Sequence, residues 1–393
     1  MEKRKKPRIR FKGFSDDWEQ RKLGDIFEEY SEKGFSDLPA LTIIQGEGTI
    51  KREDSDRSLK YDKASLLKYK LVKKGDFIVH LRSFEGGLEI SKNIGVVSPA
   101  YHTFHGEGTD STFYYWHFRS DDFIDIALKP HVYGIRDGRS INIEGMKTIK
   151  IPWTTLDEQS RIGNLIKCIN RLITLHQRKL EKLKIIKKSM LEKCFPKKGE
   201  KVPKIRFSGF TDDWEQRKLG ACFEERCENM PDGELISVTI SDGIKKFSEL
   251  GRHDNSNQDK SKYKKVCIGD IAYNSMRMWQ GASGYSPFEG IVSPAYTVLK
   301  PNVNINSKCV SYLFKRQDMI HVFQLNSQGI TSDNWNLKFP ALSQIAVSLP
   351  GDIKEQSRIA TYFSNIDTLI TLHQSKLEKL QKIKKSMLER MFV

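Results

Sequence analysis

Pro7–Glu29 reads PRIRFKGFSDDWEQRKLGDIFEE, and Pro203–Glu225 reads PKIRFSGFTDDWEQRKLGACFEE. Aligned without gaps, 18 of the 23 positions are identical. A second pair closes each copy. Arg171–Lys193 is RLITLHQRKLEKLKIIKKSMLEK and Thr368–Arg390 is TLITLHQSKLEKLQKIKKSMLER, again with 18 of 23 shared. The offsets are 196 and 197 residues, so two near-equal copies fill the 393-residue chain. Long, unlike stretches lie between the shared ends. Two like frames with two unlike fillings suggest a pseudo-two-fold molecule with two different binding heads.

The fillings share a skeleton. Short β-rich runs are expected at Leu71–Val72, Asp76–His80, Ile94–Val97 and Ile149–Pro152, separated by Gly and charged turns. Gly75-Asp76 before FIVH matches Gly269-Asp270 before IAYN, and GVVSPAY at 95–101 matches GIVSPAY at 290–296. One α/β (α+β) fold with different surface residues accounts for both.

Each filling ends at a helix start. Pro152 is followed by Thr155-x-x-Glu158, a capping-box pattern, and Pro350 by Asp352-x-x-Glu355. Both then enter EQSRI. From there to Phe195 and Phe392 only Gly163 interrupts two runs of about 38 residues, or about 57 Å if fully helical. An a/d seam is expected through Ile162, Leu165, Ile169, Leu172, His176, Lys179, Leu183, Ile186 and Met190. Its counterpart passes through Ile359, Tyr362, Ile366, Leu369, His373, Lys376, Leu380, Ile383 and Met387. Ile166, Ile173 and Leu180, with Phe363, Ile370 and Leu377, widen the stripe. Antiparallel pairing of the two helices would place His176 and His373 near their common centre. The expected boundaries are 1–153 for the first mixed domain, 154–197 for the first long helix, 198–351 for the second domain and 352–393 for the second helix.

The net charge of +16 calls for a polyanionic partner. Between residues 178 and 201, ten basic side chains face three acidic ones, which suits either a solvated helix face or phosphate contact. No apolar run is long enough for a membrane span and no signal peptide is recognisable, so a cytoplasmic location is expected. The six cysteines form no CxxC pair, which argues against a metal site or a disulfide framework.

Catalytic motifs are missing. The sequence holds no GxxxxGK[ST], no GxGxxG after a strand, no GxSxG and no HExxH. Ser98-Pro-Ala-Tyr101 and Ser293-Pro-Ala-Tyr296 invite comparison with the [DN]PP[YF] loop of amino-methyltransferases. They lack its Asp/Asn and its second Pro, and are read as turns at a strand end. Binding is better supported, because short segments mix cations, amides and aromatics. The candidate DNA-binding residues in copy one are His80, Arg82, Ser83, Tyr101, Arg136, Arg139 and Ser140. In copy two they are Lys264, Asn274, Arg277, Trp279, Gln280, Tyr296, Gln328, Thr331, Asn334 and Trp335. Arg, Asn and Gln match base edges in the major groove, whereas Lys, Ser and Thr more often hold phosphates. Gly134 and Gly329 would allow close backbone approach.

The repeated WEQRKLG opening, the EQSRI junctions after Pro152 and Pro350, and the two heptad helices resemble the DNA-specificity subunit of type I restriction–modification enzymes. The resemblance covers essentially the whole chain. It implies two target-recognition domains that each read half of a bipartite site, with the helices as a ruler for the unread spacer. It also implies a non-catalytic subunit that binds no cofactor and scaffolds two modification subunits and the restriction subunits. S-adenosylmethionine, ATP and Mg would belong to those partners. Two other classes stay open: a stand-alone DNA-modifying enzyme with a cryptic active site, which would methylate DNA alone, and a coiled-coil scaffold that binds no DNA.

Overall fold

The computed structural model describes residues 6–55, 63–134, 139–240, 243–251, 253–254, 256–331 and 334–392. Two continuous helices, Leu156–Lys193 and Ile353–Met391, dominate a mixed α/β architecture. The chain divides into two compact units. The first comprises Met1–Gln177 with Ser375–Val393, and the second Arg178–Gln374. Each unit therefore contains the first half of one long helix and the second half of the other.

The first unit is built around an antiparallel four-stranded sheet. Its order is Glu28–Tyr30, His102–His105, Phe77–Val79, Glu89–Ile90. The second unit repeats it with Phe223–Glu225, Tyr296–Pro301, Ile271–Asn274 and Ser283–Tyr285. The EQRK of each opening motif is itself a strand. Glu19–Lys22 pairs antiparallel with Lys150–Trp153, and Glu215–Lys218 with Ala346–Leu349. The matched Gly-Asp pairs are explained by the turn before the central strand. Gly75 and Gly269 both have φ +96°, a conformation that favours glycine. The buried Asp76 and Asp270 accept the backbone N–H of Lys73 and Cys267.

The shared motifs meet at one carboxylate in each unit. Glu158 of the first EQSRI is gripped by Arg10 at 2.5 and 2.8 Å and accepts the indole N–H of Trp18 at 2.9 Å. In the second unit Arg206 grips Glu355 at 2.8 and 2.9 Å, and Trp214 donates to it at 3.3 Å. The Arg of EQSRI lies over the Phe of the opening GF: Arg161 over Phe14 and Arg358 over Phe210. The Gln accepts the N–H at the start of a short helix (Asp110, Asn306) and donates back to Thr154 O or Pro350 O. Ile162 and Ile359 are buried in the two cores. The capping expectation is corrected here. Thr155 and Asp352 do accept helix N–H groups, but Glu158 and Glu355 do not close a box. Each is the hub that fastens the long helix to the opening motif.

Within the second unit the helix halves run antiparallel. Lys187 Nζ lies 2.5 Å from Asp367 Oδ1, and Phe195 stacks on Phe363. In the first unit, Met387 and Met391 pack with the core that holds Ile162 and Ile166. The buried rungs are Ile162, Ile166, Ile169, Ile173 and Leu180, and Ile359, Phe363, Ile366 and Leu377. Leu165, His176, Leu183, His373, Leu380 and Ile383 are half-buried, whereas Leu172, Ile186 and Leu369 are exposed, as are Lys179 and Lys376. The seam drawn through those five exposed residues is thereby corrected. The covered face turns toward the widening set because Ile166, Ile173, Leu180, Phe363 and Leu377 continue the 3–4 spacing equally well.

Candidate nucleic-acid interface

In the first unit the central strand ends at Val79 and the chain turns a corner at His80. Ser83 N–H donates to His80 O, the Ser83 hydroxyl accepts His80 N–H at 2.9 Å, and Arg82 N–H donates to His80 Nδ1 at 3.2 Å. A short helix, Ser83–Gly86, follows. It can lie close to its neighbour because Gly87 has φ +79° and a Cβ there would meet Phe118 O at 2.1 Å. The His80 ring meets Tyr101 edge-on at 6.2 Å. Burial, helped by the nearby Arg119, lowers the His80 pKa to about 4, so this imidazole is neutral at physiological pH.

Arg82 is exposed and lies 3.7 Å from Glu85, whose carboxylate also meets Arg139 at 3.5 Å. Arg139 stacks over Phe84 at 4.4 Å. Ser140 pairs with Tyr133 in a two-stranded hairpin. Thus His80, Arg82, Ser83 and Tyr101 come together at one end of the sheet, and Arg139 joins them through Glu85 and Phe84. Arg136 lies outside the described residues.

The second unit builds the same corner with other side chains. Its central strand ends at Asn274, which pairs with Tyr296 across the sheet. Arg277 N–H donates to Asn274 O. Arg277 has φ −129° and ψ 14°, close to the −117° and 15° of Arg82, and each precedes a single helical turn. Trp279 meets Trp335 edge-on at 5.2 Å, and its N–H donates to Met276 O. The loop that carries Trp335 is closed by two hydrogen bonds between Gln328 and Asn336, and by Asn334 N–H to Thr331 O. Leu337 N–H ties it to Ser275 O at 2.9 Å. Asn274, Arg277, Trp279, Gln280, Tyr296, Gln328 and Trp335 therefore belong to one connected surface. Thr331 and Asn334 lie on its loop. Lys264 opens a different strand, and its ammonium faces Glu225 at 3.2 Å.

Both Ser-Pro-Ala-Tyr segments are turns: Tyr101 N–H donates to Ser98 O, and Tyr296 N–H to Ser293 O. All six cysteines are free thiols. Among the described residues no group of three His, Cys, Asp or Glu could hold a metal ion, and no helix is long and apolar enough to cross a membrane. Sequence reading missed Glu85, which joins two candidate arginines. It also missed Leu81 and Met276, the exposed apolar residues immediately before Arg82 and Arg277.

Residues 211–382 match the family model described as type I restriction modification DNA specificity domain. That stretch, in the second half of the chain, is what the family model resembles. Two relatives come from Methanocaldococcus jannaschii. The type I restriction enzyme MjaVIII specificity subunit is 24% identical over 275 residues, covering 62% of this chain and 61% of that one. The putative type I restriction enzyme MjaX specificity subunit is 23% identical over 282 residues, covering 69% and 64%. The chain thus spans a little over three-fifths of the length of these relatives. The solved structure of a type I restriction–modification S subunit from M. genitalium has the same fold. It covers 99% of both chains with a TM-score of 0.61 at 13% identity. The matched residues lie within the second copy, and the first copy repeats that copy's frame motif by motif.

Proposed function

We propose that this chain is the DNA-recognition subunit of a type I restriction–modification assembly. Each unit reads one half of a bipartite duplex target, and the long helices set the spacer between halves. The observation that carries this reading is the pair of corners after His80 and Asn274. Backbone geometry is common to both, whereas the side chains on it differ, as expected of two heads of one design that read different bases. Arginine on an exposed corner suits bidentate recognition of guanine, and Asn and Gln suit adenine. The net charge of +16 suits phosphate contact and predicts steep salt dependence.

The chain contributes recognition and scaffolding. Methyl transfer and DNA cleavage would fall to modification and restriction subunits, which supply S-adenosylmethionine, ATP and Mg. The test is methylome sequencing of a host with and without this chain, beside incubation of the purified chain with S-adenosylmethionine and DNA. A bipartite methylated motif that appears only with the chain, and no methylation by the chain alone, is the expected outcome. Methylation by the isolated chain would overturn the reading.

A further inference from the structure

Two corners whose side chains otherwise differ each place an apolar residue and an arginine just before the helical turn, one residue further from the Gly-Asp turn in the second unit than in the first. Leu81 precedes Arg82, and Met276 precedes Arg277. Both arginines occupy the corner conformation described above, and both are exposed. The apolar neighbours are exposed too, Leu81 by 65% and Met276 by 45%. Neither is needed by its core, since the main clusters of both units close without them. A large apolar side chain held in water beside a cation, twice, on a surface placed to meet DNA, calls for an apolar occupant in the groove. The major groove offers one apolar marker, the C5-methyl group of thymine.

The geometry points to Leu81 and Met276 as specificity-determining residues that pack on a thymine methyl next to the base read by Arg82 or Arg277. The corner then works as a two-part reader. The guanidinium hydrogen-bonds a base edge, and the residue before it tests the adjacent step for a methyl group. Surrounding contacts hold both parts in place. In the first unit Glu85 lies beside the Arg82 guanidinium at 3.7 Å. In the second, the Met276 carbonyl is fixed by the Trp279 indole, while Ile330 on the adjoining loop is 99% exposed and extends the apolar surface.

This inference rests on the DNA-recognition reading, and the experiment separates the two. The full chain, assembled with its modification subunits, is titrated with short duplexes carrying its methylome-defined target. Each thymine is replaced in turn by deoxyuridine, which removes only the methyl. In each half-site, at least one replacement is expected to weaken binding about four-fold, the worth of one buried methyl. Leu81→Ala should abolish that sensitivity in one half-site and Met276→Ala in the other, each variant leaving the opposite half-site as its folding control. Specific binding that is indifferent to every deoxyuridine overturns the inference alone, as does a half-site without thymine on either strand. Sensitivity unchanged in the two variants also overturns it. Absence of any sequence-specific binding overturns the underlying function instead.

Discussion

The Trp18 indole N–H reaches Glu158 Oε2 at 2.9 Å across 140 residues of sequence, and Trp214 repeats the contact with Glu355. Arg10 and Arg206 complete the same clamps. The opening motif of each copy is thereby fastened to the first turns of its long helix.

Glu158→Gln removes a fully buried charge from Arg10 and leaves the Trp18 N–H with a weaker acceptor. A loss of about 2–3 kcal/mol is expected. Urea unfolding followed by tryptophan fluorescence measures it. An unchanged midpoint would remove the clamp from the account of stability.

Acid should weaken the same clamp. Burial raises the Glu158 pKa, but the hydrogen bonds from Arg10, Thr154 and Trp18 outweigh it and hold the group below the ordinary carboxylate value. Its contribution is therefore complete above the unfolded-state pKa and fades as pH falls through the lower folded value. The midpoint gap between wild type and Glu158→Gln should narrow as pH falls through the acid range below the ordinary carboxylate pKa, as paired denaturation curves would record.

His80 behaves as a buried base. Its folded pKa of about 4 lies below the unfolded value of 6.5, so the unfolded chain takes up this proton first. This group costs the fold stability progressively as pH falls from about 6.5 to 4. NMR titration should place its midpoint near 4, and the effect of His80→Gln on DNA affinity should be flat between pH 6 and 8.

The two units fasten the second halves of the long helices differently. Lys187 is paired with Asp367, which also accepts the Tyr312 hydroxyl at 2.8 Å. At the equivalent place Lys384 lies 4.4 Å from the Trp116 ring, and burial followed by Arg119 lowers its pKa. Asp367→Asn should destabilise the second unit by about 1–2 kcal/mol. Lys384→Met should change the first by less than about 1 kcal/mol, because lost cation–π attraction and relieved desolvation oppose each other. Amide hydrogen exchange resolves the two units.

Recognition should be separable. Exchanging residues 31–151 for another recognition domain is expected to change one half of the methylated motif only. Arg82→Ala and Arg277→Ala should each relax one half-site, by about 1–3 kcal/mol of discrimination. Specificity profiles of the variants check this.

The sequence by itself determined the duplication, the long helices and the Ser-Pro-Ala-Tyr turns, because these are local: spacing, caps and special backbone conformations leave marks within a few residues. It also placed an arginine within three residues of each central strand's end. Only the tertiary structure decided that EQRK is a strand, that Glu158 and Glu355 are hubs rather than capping partners, and that each long helix is shared between two units. It also decided which edge of the apolar stripe is covered. Residues 165 and 166, or 172 and 173, are both apolar, so spacing fits either edge. The packed neighbours choose between them, and those neighbours come from distant sequence. Leu81 and Met276 went unread for the same reason. An apolar residue in a β-rich run belongs to the core until folding leaves it in water.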